Sequence, residues 1–200
     1  MASLYELKPI FQACLRPVAN GLAARGVTAN QVTIAAAVIS VAVGVLVGWT
    51  EGGATLLLLP VALLVRMALN AIDGMLAREH GMKSNLGAVL NELGDMISDA
   101  ALYLPLALVP GVPAVWVVLF VVAALLTEVA GLVGPMLGRA RRYDGPMGKS
   151  DRALLVGVLA LLLGFGVPTG AWLAWVFGAA SLLAIWTMVR RIRATLAASR

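Results

Sequence analysis

Cysteine and histidine are nearly missing from this 200-residue chain: each occurs once, as Cys14 and His80. One cysteine excludes an intramolecular disulfide and a thiolate metal cluster, and with a single histidine beside it a zinc site lacks its usual ligands. Charge is also scarce: Asp, Glu, Lys and Arg make up 12% of residues, against about a quarter in a soluble domain. Hydrophobic residues reach 61% and mean hydropathy is +0.94, so the composition is that of a polytopic membrane protein. The net charge of +5 has no soluble basic domain to carry it, which argues against a nucleic-acid partner. The basic residues read instead as topology signals facing an anionic leaflet of the lipid bilayer. The N-terminus lacks a long apolar core followed by a small-residue cleavage site, so no cleavable signal peptide is expected.

Residues 1–26 mix apolar and basic side chains. Leu4, Leu7, Ile10, Phe11, Cys14, Leu15 and Val18 recur at helical spacing around Lys8 and Arg16, which predicts an amphipathic helix with an interruption near Pro17. It lies at the membrane interface or packs on the bundle from the cytosol. Apolar runs then predict six spans within residues 27–189: Thr28–Trp49, with Thr28 or Asn30 as its N-cap; Ala54–Arg78, with Pro60 as a candidate kink; Gly87–Val109; Ala114–Leu137; Ala153–Val167; and Ala171–Val189. Residues 190–200 form a basic tail. The fold class is therefore an all-α integral membrane protein, one domain over residues 1–200.

Charge placement supports this count. Of the 15 Lys and Arg residues, all but Arg66 fall in the N-terminal segment, the 78–83 turn, the 139–152 loop or the tail. Six spans with both termini cytoplasmic then satisfy the positive-inside rule. Arg66 stands inside the second span, where a lone cation is costly and predicts a buried acidic partner, Asp99 before Glu128.

The one polar stretch runs from Asn70 to Asp99. It holds Asp73, Glu92, Asp95 and Asp99 together with Asn70, Asn91, Arg78 and Lys83. Asn70 and Asp73 are three residues apart, and Asn91, Asp95 and Asp99 follow at intervals of four, so each set lines one helix face. Two such helices joined by a short turn are antiparallel neighbours. Their carboxylate and amide oxygens suit Mg²⁺ or Mn²⁺, hard cations usually shared with substrate phosphates. Phosphoryl transfer at the cytoplasmic surface follows from these residues. A transporter using the same intramembrane charges and a catalytically silent scaffold are the rival readings.

The stretch resembles the signature of the CDP-alcohol phosphotransferase family, D-x-x-D-G-x-x-A-R, eight residues, G-x-x-x-D-x-x-x-D. Asp73, Gly74, Ala77, Arg78, Gly87 and Asp95 occupy matching positions, with Asn70 and Asn91 where the first and third Asp of the family stand. Thr28–Asn30 resembles a Pro-Asn element of the family, and Gly148–Ser150 a basic segment near its acceptor. The resemblance implies a six-span bundle in the cell membrane that transfers a substituted phosphate from CDP-diacylglycerol or another CDP-alcohol to an acceptor alcohol, releasing CMP. It implies a site facing the cytoplasm and a homodimer.

Carried over residue by residue, Asp95 is the general base. Asp73, Asn70, Asn91 and Asp95 are the metal positions, and Asp73, Gly74, Ala77, Arg78 and Gly87 line the CDP site. Replacing two carboxylates by amides lowers the ligand charge and leaves open one metal or two, with Glu92, Asp99 and Arg66 as auxiliary groups and Asp99 either a ligand or the ion-pair partner of Arg66. For a polar, phosphorylated acceptor the basic candidates are Arg139, Arg142, Lys149 and Arg152, which otherwise serve only as topology anchors.

Overall fold

A computed structural model of the chain describes residues 4–197, with side chains from Ile10 onward. Residues 1–3, residues 198–200 of the tail, and the side chains of Leu4, Leu7 and Lys8 in the amphipathic pattern lie outside the described set. Among the described residues the secondary structure is entirely helical. The α-helices are α1 (Leu4–Ala24), α2 (Ala29–Trp49), α3 (Leu58–Glu79), α4 (Asn85–Tyr103), α5 (Ala114–Met136), α6 (Lys149–Gly164) and α7 (Trp172–Ala197). Turns of 3₁₀-helix at Gly53–Leu57 and Leu104–Leu108 lead into α3 and follow α4.

Among the described residues, four helical segments are long and apolar enough to cross a membrane: α2, the 3₁₀ turn with α3, α5 and α7. They keep large apolar side chains on their outer surface, such as Val45, Leu64, Val115 and Leu182, as a hydrocarbon solvent favours. The segments expected as the third and fifth spans are helical too. However, α4 carries the polar stretch, and α6 has 16 residues.

Several boundaries differ from expectation. The first helix runs unbroken through Pro17 to Ala24. Pro60 falls in the first turn of α3, where its missing N–H has no intrahelical partner to lose, so no kink is required. Helix α6, expected as the fifth span from Ala153, begins at Lys149, because the Gly148 N–H donates to Asp151 Oδ2 at 2.9 Å and starts the helix ahead of the apolar run. The last helix continues to Ala197, so Arg190, Arg191 and Arg193 belong to α7 and not to a separate tail.

The chain forms two compact units, Met1–Val41 with Ala62–Ser98, and Ala42–Val61 with Asp99–Arg200. In the first, Ala19 of α1 packs with Ala29, Val32, Ile72, Met75 and Leu76. At the end of α3, Arg16 donates to both oxygens of Glu79 at 3.1 Å, and Asn20 pairs with His80 Nε2 at 3.0 Å. Helix α1 is thus packed on its unit, and the lone histidine is a structural contact. In the second unit, α5 packs on α7 around Tyr103, Phe120 and Phe177, whose ring centroids lie 5.9 and 5.7 Å apart in sequence.

Small residues set the closest approaches. At Gly44 an added methyl would sit 2.0 Å from the Ala101 carbonyl oxygen, a backbone atom with no rotamer to yield. Gly44→Ala should therefore lower stability by about 1–3 kcal/mol, the usual cost of overpacking. A thermal unfolding scan of the purified protein should show a lowered midpoint; an unchanged midpoint would contradict this approach of α2 to Ala101.

Candidate active site

The motif residues from Asn70 to Asp95 lie within the first unit, and Asp99 belongs to the second. The frame of the motif begins at α2, where Thr28 and Gln31 form a reciprocal cap: Thr28 N–H donates to Gln31 Oε1 at 2.9 Å, and Gln31 N–H donates to Thr28 Oγ1 at 3.3 Å. Thr28 is thus the cap, which releases Asn30 for another contact. Asn30 Oδ1 lies where a Cβ at Gly87 would come within 2.8 Å of it. Gly87 is in turn in the first turn of α4, its N–H donating to the capping Ser84 Oγ at 3.0 Å. The glycine serves this approach of α2 to α4.

One turn further along α2, Thr33 Oγ1 lies 2.8 Å from Asp73 Oδ2 and 3.1 Å from the Ala29 carbonyl. Its single proton goes to the closer, charged acceptor. Asp73 is only 5% exposed, so this hydroxyl fixes the orientation of a buried carboxylate. Thr33 was not singled out from sequence, though its position three residues after Asn30 on the same helix face is a legible signal.

The two halves of the motif meet at Asp95. Asn70 Nδ2 donates to Asp95 Oδ1 at 2.9 Å, joining α3 to α4. Arg66, 4% exposed, donates through Nη2 to the Asp95 carbonyl at 2.9 Å and to Asp95 Oδ1 at 3.4 Å. This buried cation, for which Asp99 or Glu128 is the expected partner, thus also contacts Asp95, a residue not assigned to it from sequence. Asn91 and Glu92 lie partly buried on α4, one turn before Asp95.

Arg78 folds back along α3, its guanidinium 3.0 Å from where a Cβ at Gly74 would stand. The i, i+4 spacing stacks these two positions, so Gly74 makes room for an exposed cation at the end of the helix. Ala77 packs against the apolar cluster of the unit.

The residues proposed for an acceptor belong to the second unit. Arg139 donates to the Thr195 carbonyl, and Arg142 donates to the Ala194 carbonyl at 2.8 Å and faces Asp144 at 3.8 Å. Lys149 is partly buried in the first turn of α6. Arg152, expected among the acceptor candidates, is wholly buried: its exposure is 0%. It donates to Asp99 Oδ2 at 3.0 Å and Glu128 Oε1 at 2.7 Å through Nη2, and to Thr127 Oγ1 and the Met147 carbonyl through Nη1. Arg141 and Arg191 also approach Glu128, at 3.0 and 3.8 Å. Burial forces this arginine into ion pairs, which removes it from the acceptor candidates.

Among the described residues no three His, Cys, Asp or Glu side chains gather into a metal cage. The oxygen set of the motif is of another kind: two carboxylates, Asp73 and Asp95, and the amides of Asn70 and Asn91. It fits Mg²⁺ or Mn²⁺, which bind through one or two carboxylates and complete their shell with substrate phosphates and water.

Comparison with known proteins agrees with the residues. A family profile described as CDP-alcohol phosphatidyltransferase matches residues 26–189. The chain is 44% identical to inner membrane protein YnbA of Escherichia coli over 97% of its length and 96% of that protein. It is 31% identical to phosphatidylinositol phosphate synthase of Corynebacterium glutamicum, over 96% and 88% of the two chains. Its fold matches that of phosphatidylinositol phosphate synthase of Mycobacterium tuberculosis. The structure of that enzyme with CDP-DAG bound superposes with a TM-score of 0.76 at 23% identity, covering 90% of this chain and 92% of the other. Its complex with manganese and citrate gives 0.77 at 23%, covering 91% and 88%.

Arg152→Met would strand Asp99 and Glu128 without their shared guanidinium, and breaking a buried pair from one side costs about 3–5 kcal/mol. The variant should lose most of its folded yield on size-exclusion chromatography. Arg152→Lys should recover part of it, since an ammonium keeps the charge but cannot reach all four acceptors.

Proposed function

This chain belongs to the CDP-alcohol phosphatidyltransferase family, and on that premise we propose that it transfers a phosphatidyl group from CDP-diacylglycerol to a polar alcohol and releases CMP. The observation that carries the reading is the 2.9 Å bond from Asn70 to Asp95. It brings the two separated halves of the motif together, with Asp73 one turn along α3 from Asn70. The CDP-DAG and manganese bound by the Mycobacterium tuberculosis enzyme support a nucleotide donor and a hard cation here.

The acceptor hydroxyl oxygen attacks the phosphorus that carries diacylglycerol. A new P–O bond forms as the bond to the CMP phosphate breaks, and the hydroxyl proton passes to the Asp95 carboxylate as general base. Asp73, oriented by Thr33, is the anionic ligand for a divalent cation, with the amide oxygens of Asn70 and Asn91 as neutral ones. When bound, that cation neutralises the pyrophosphate and stabilises charge on the departing CMP. Arg78, at the exposed end of α3, binds a phosphate oxygen. The six helical segments α2–α7 span the cell membrane with both termini cytoplasmic, and the site faces the cytosol, the side on which the polar CDP head of the membrane-held donor lies.

Purified protein with Mg²⁺ or Mn²⁺, CDP-diacylglycerol and a panel of alcohols, free and phosphorylated, should release CMP. Asp73→Ala and Asp95→Ala should each lower that release about 10²-fold or more, the scale of a general base. No release with any acceptor, from protein that still binds Mn²⁺ and CDP, would identify a silent scaffold.

A further inference from the structure

Arg66 is a buried basic residue in the middle of α3, and its place relative to Asp95 is specific. A surface ion pair joins side-chain tips; here Nη2 reaches both the Asp95 backbone carbonyl, at 2.9 Å, and its carboxylate Oδ1, at 3.4 Å. The same Oδ1 accepts from Asn70 Nδ2 at 2.9 Å. Arg66 and Asn70 are four residues apart on α3, so one face of one helix presents both donors. Main chain and carboxylate are clamped together, which restricts the side chain to a single orientation. The Asp95 side chain is 14% exposed and that of Arg66 4%, so the pair is poorly screened by solvent.

This arrangement has a consequence for the cation. Oδ1 of Asp95 is occupied by two donors, one of them cationic, and a dication approaching that oxygen meets a fixed positive charge in a weakly screened setting. Resting on the function proposed above, we propose that Arg66 is a positioning residue: a cation built into the bundle that holds and orients Asp95 in place of a bound metal. Asp95 is then reserved for proton transfer, and divalent-cation binding depends on Asp73. The identity of residue 70 belongs to the same device. An amide at this position donates to Asp95, which a carboxylate cannot do unless it is protonated.

The test separates metal from catalysis. Mn²⁺ binding to the purified full-length protein in the presence of CDP is followed by electron paramagnetic resonance. The double variant Arg66→Met/Asp95→Asn removes both members of the pair together. It should bind Mn²⁺ as the unmodified protein does, whereas Asp73→Asn should weaken binding about 10-fold or more, as loss of a ligand does. Loss of Mn²⁺ binding in the double variant equal to that in Asp73→Asn would make Asp95 a metal ligand and overturn the proposal.

In the CMP-release assay, Arg66→Met should lower kcat about 10²-fold, the cost of a misplaced catalytic group, with KM for CDP-diacylglycerol unchanged. Arg66→Lys should recover much of kcat. Equal loss in both variants, or a rise in KM that accounts for the effect, would overturn it. If the unmodified protein releases no CMP, the functional reading fails by itself, and the Mn²⁺ arm still decides whether Asp95 is held by Arg66 or by metal.

Discussion

A guanidinium with no exposed surface, Arg152, is the interaction on which the second unit depends. Removing a cation from water costs several kcal/mol even after relaxation, and only close, well-directed partners offset that cost. Arg152 finds them on separate helices: Asp99 on α4, Glu128 and Thr127 on α5, and the Met147 carbonyl just before its own helix α6. Glu128 is also approached by Arg141 and Arg191, so the charges form a network rather than a single pair. The network therefore specifies which helix ends meet, a matter that interchangeable apolar contacts among Leu, Val and Ala do not decide. Arg191 adds a further tie, from α7 to the Thr127 carbonyl at 2.6 Å.

The first unit solves the same problem with a smaller set of groups. Its carboxylates are the buried Asp73, held by a hydroxyl from α2, and the partly buried Asp95, held by an amide and a guanidinium from α3. Glycine makes these approaches possible at two points. Gly87 admits Asn30 from the start of α2, and Gly74 admits the returning Arg78. The spacing of the motif thus reflects helix geometry as much as ligand chemistry: four residues separate Gly74 from Arg78, Arg66 from Asn70, and Asn91 from Asp95.

Much of this was legible in sequence because membrane helices announce themselves by length and hydropathy, and ionisable residues within them by their rarity. The spans containing α2, α3 and α5 were placed within a few residues, and the apposition of the Asn70 and Asp95 helix faces followed from spacing alone. What was not legible depends on local hydrogen bonds and on partner choice. Asp151 starts α6 before any apolar residue does, and α7 runs past the arginines because Arg191 is buried against α5 rather than solvated. The basic residues illustrate the limit most clearly. Arg139, Arg142 and Arg152 look alike as a cluster in a loop, yet the first two bind carbonyls of α7 and the third is wholly interior. Periodicity cannot tell these fates apart.

The two asparagines of the motif acquire a physical meaning from these contacts. Read as ligands alone, Asn70 and Asn91 are Asp residues that have lost a charge, and the site looks weakened. The bond from Asn70 to Asp95 gives one of them a different role. At 2.9 Å a carboxylate in place of that amide nitrogen would face the Asp95 carboxylate as a like charge, an arrangement that holds only if a proton or a bound cation lies between them. The amide removes the need for either, and Arg66, on the same helix face, supplies the positive charge directly to Asp95. The amide at position 70 and the guanidinium at position 66 thus act on the same carboxylate oxygen. In the role proposed for Arg66, they shift part of the electrostatic work at this site from a dissociable ion to a side chain that is always present.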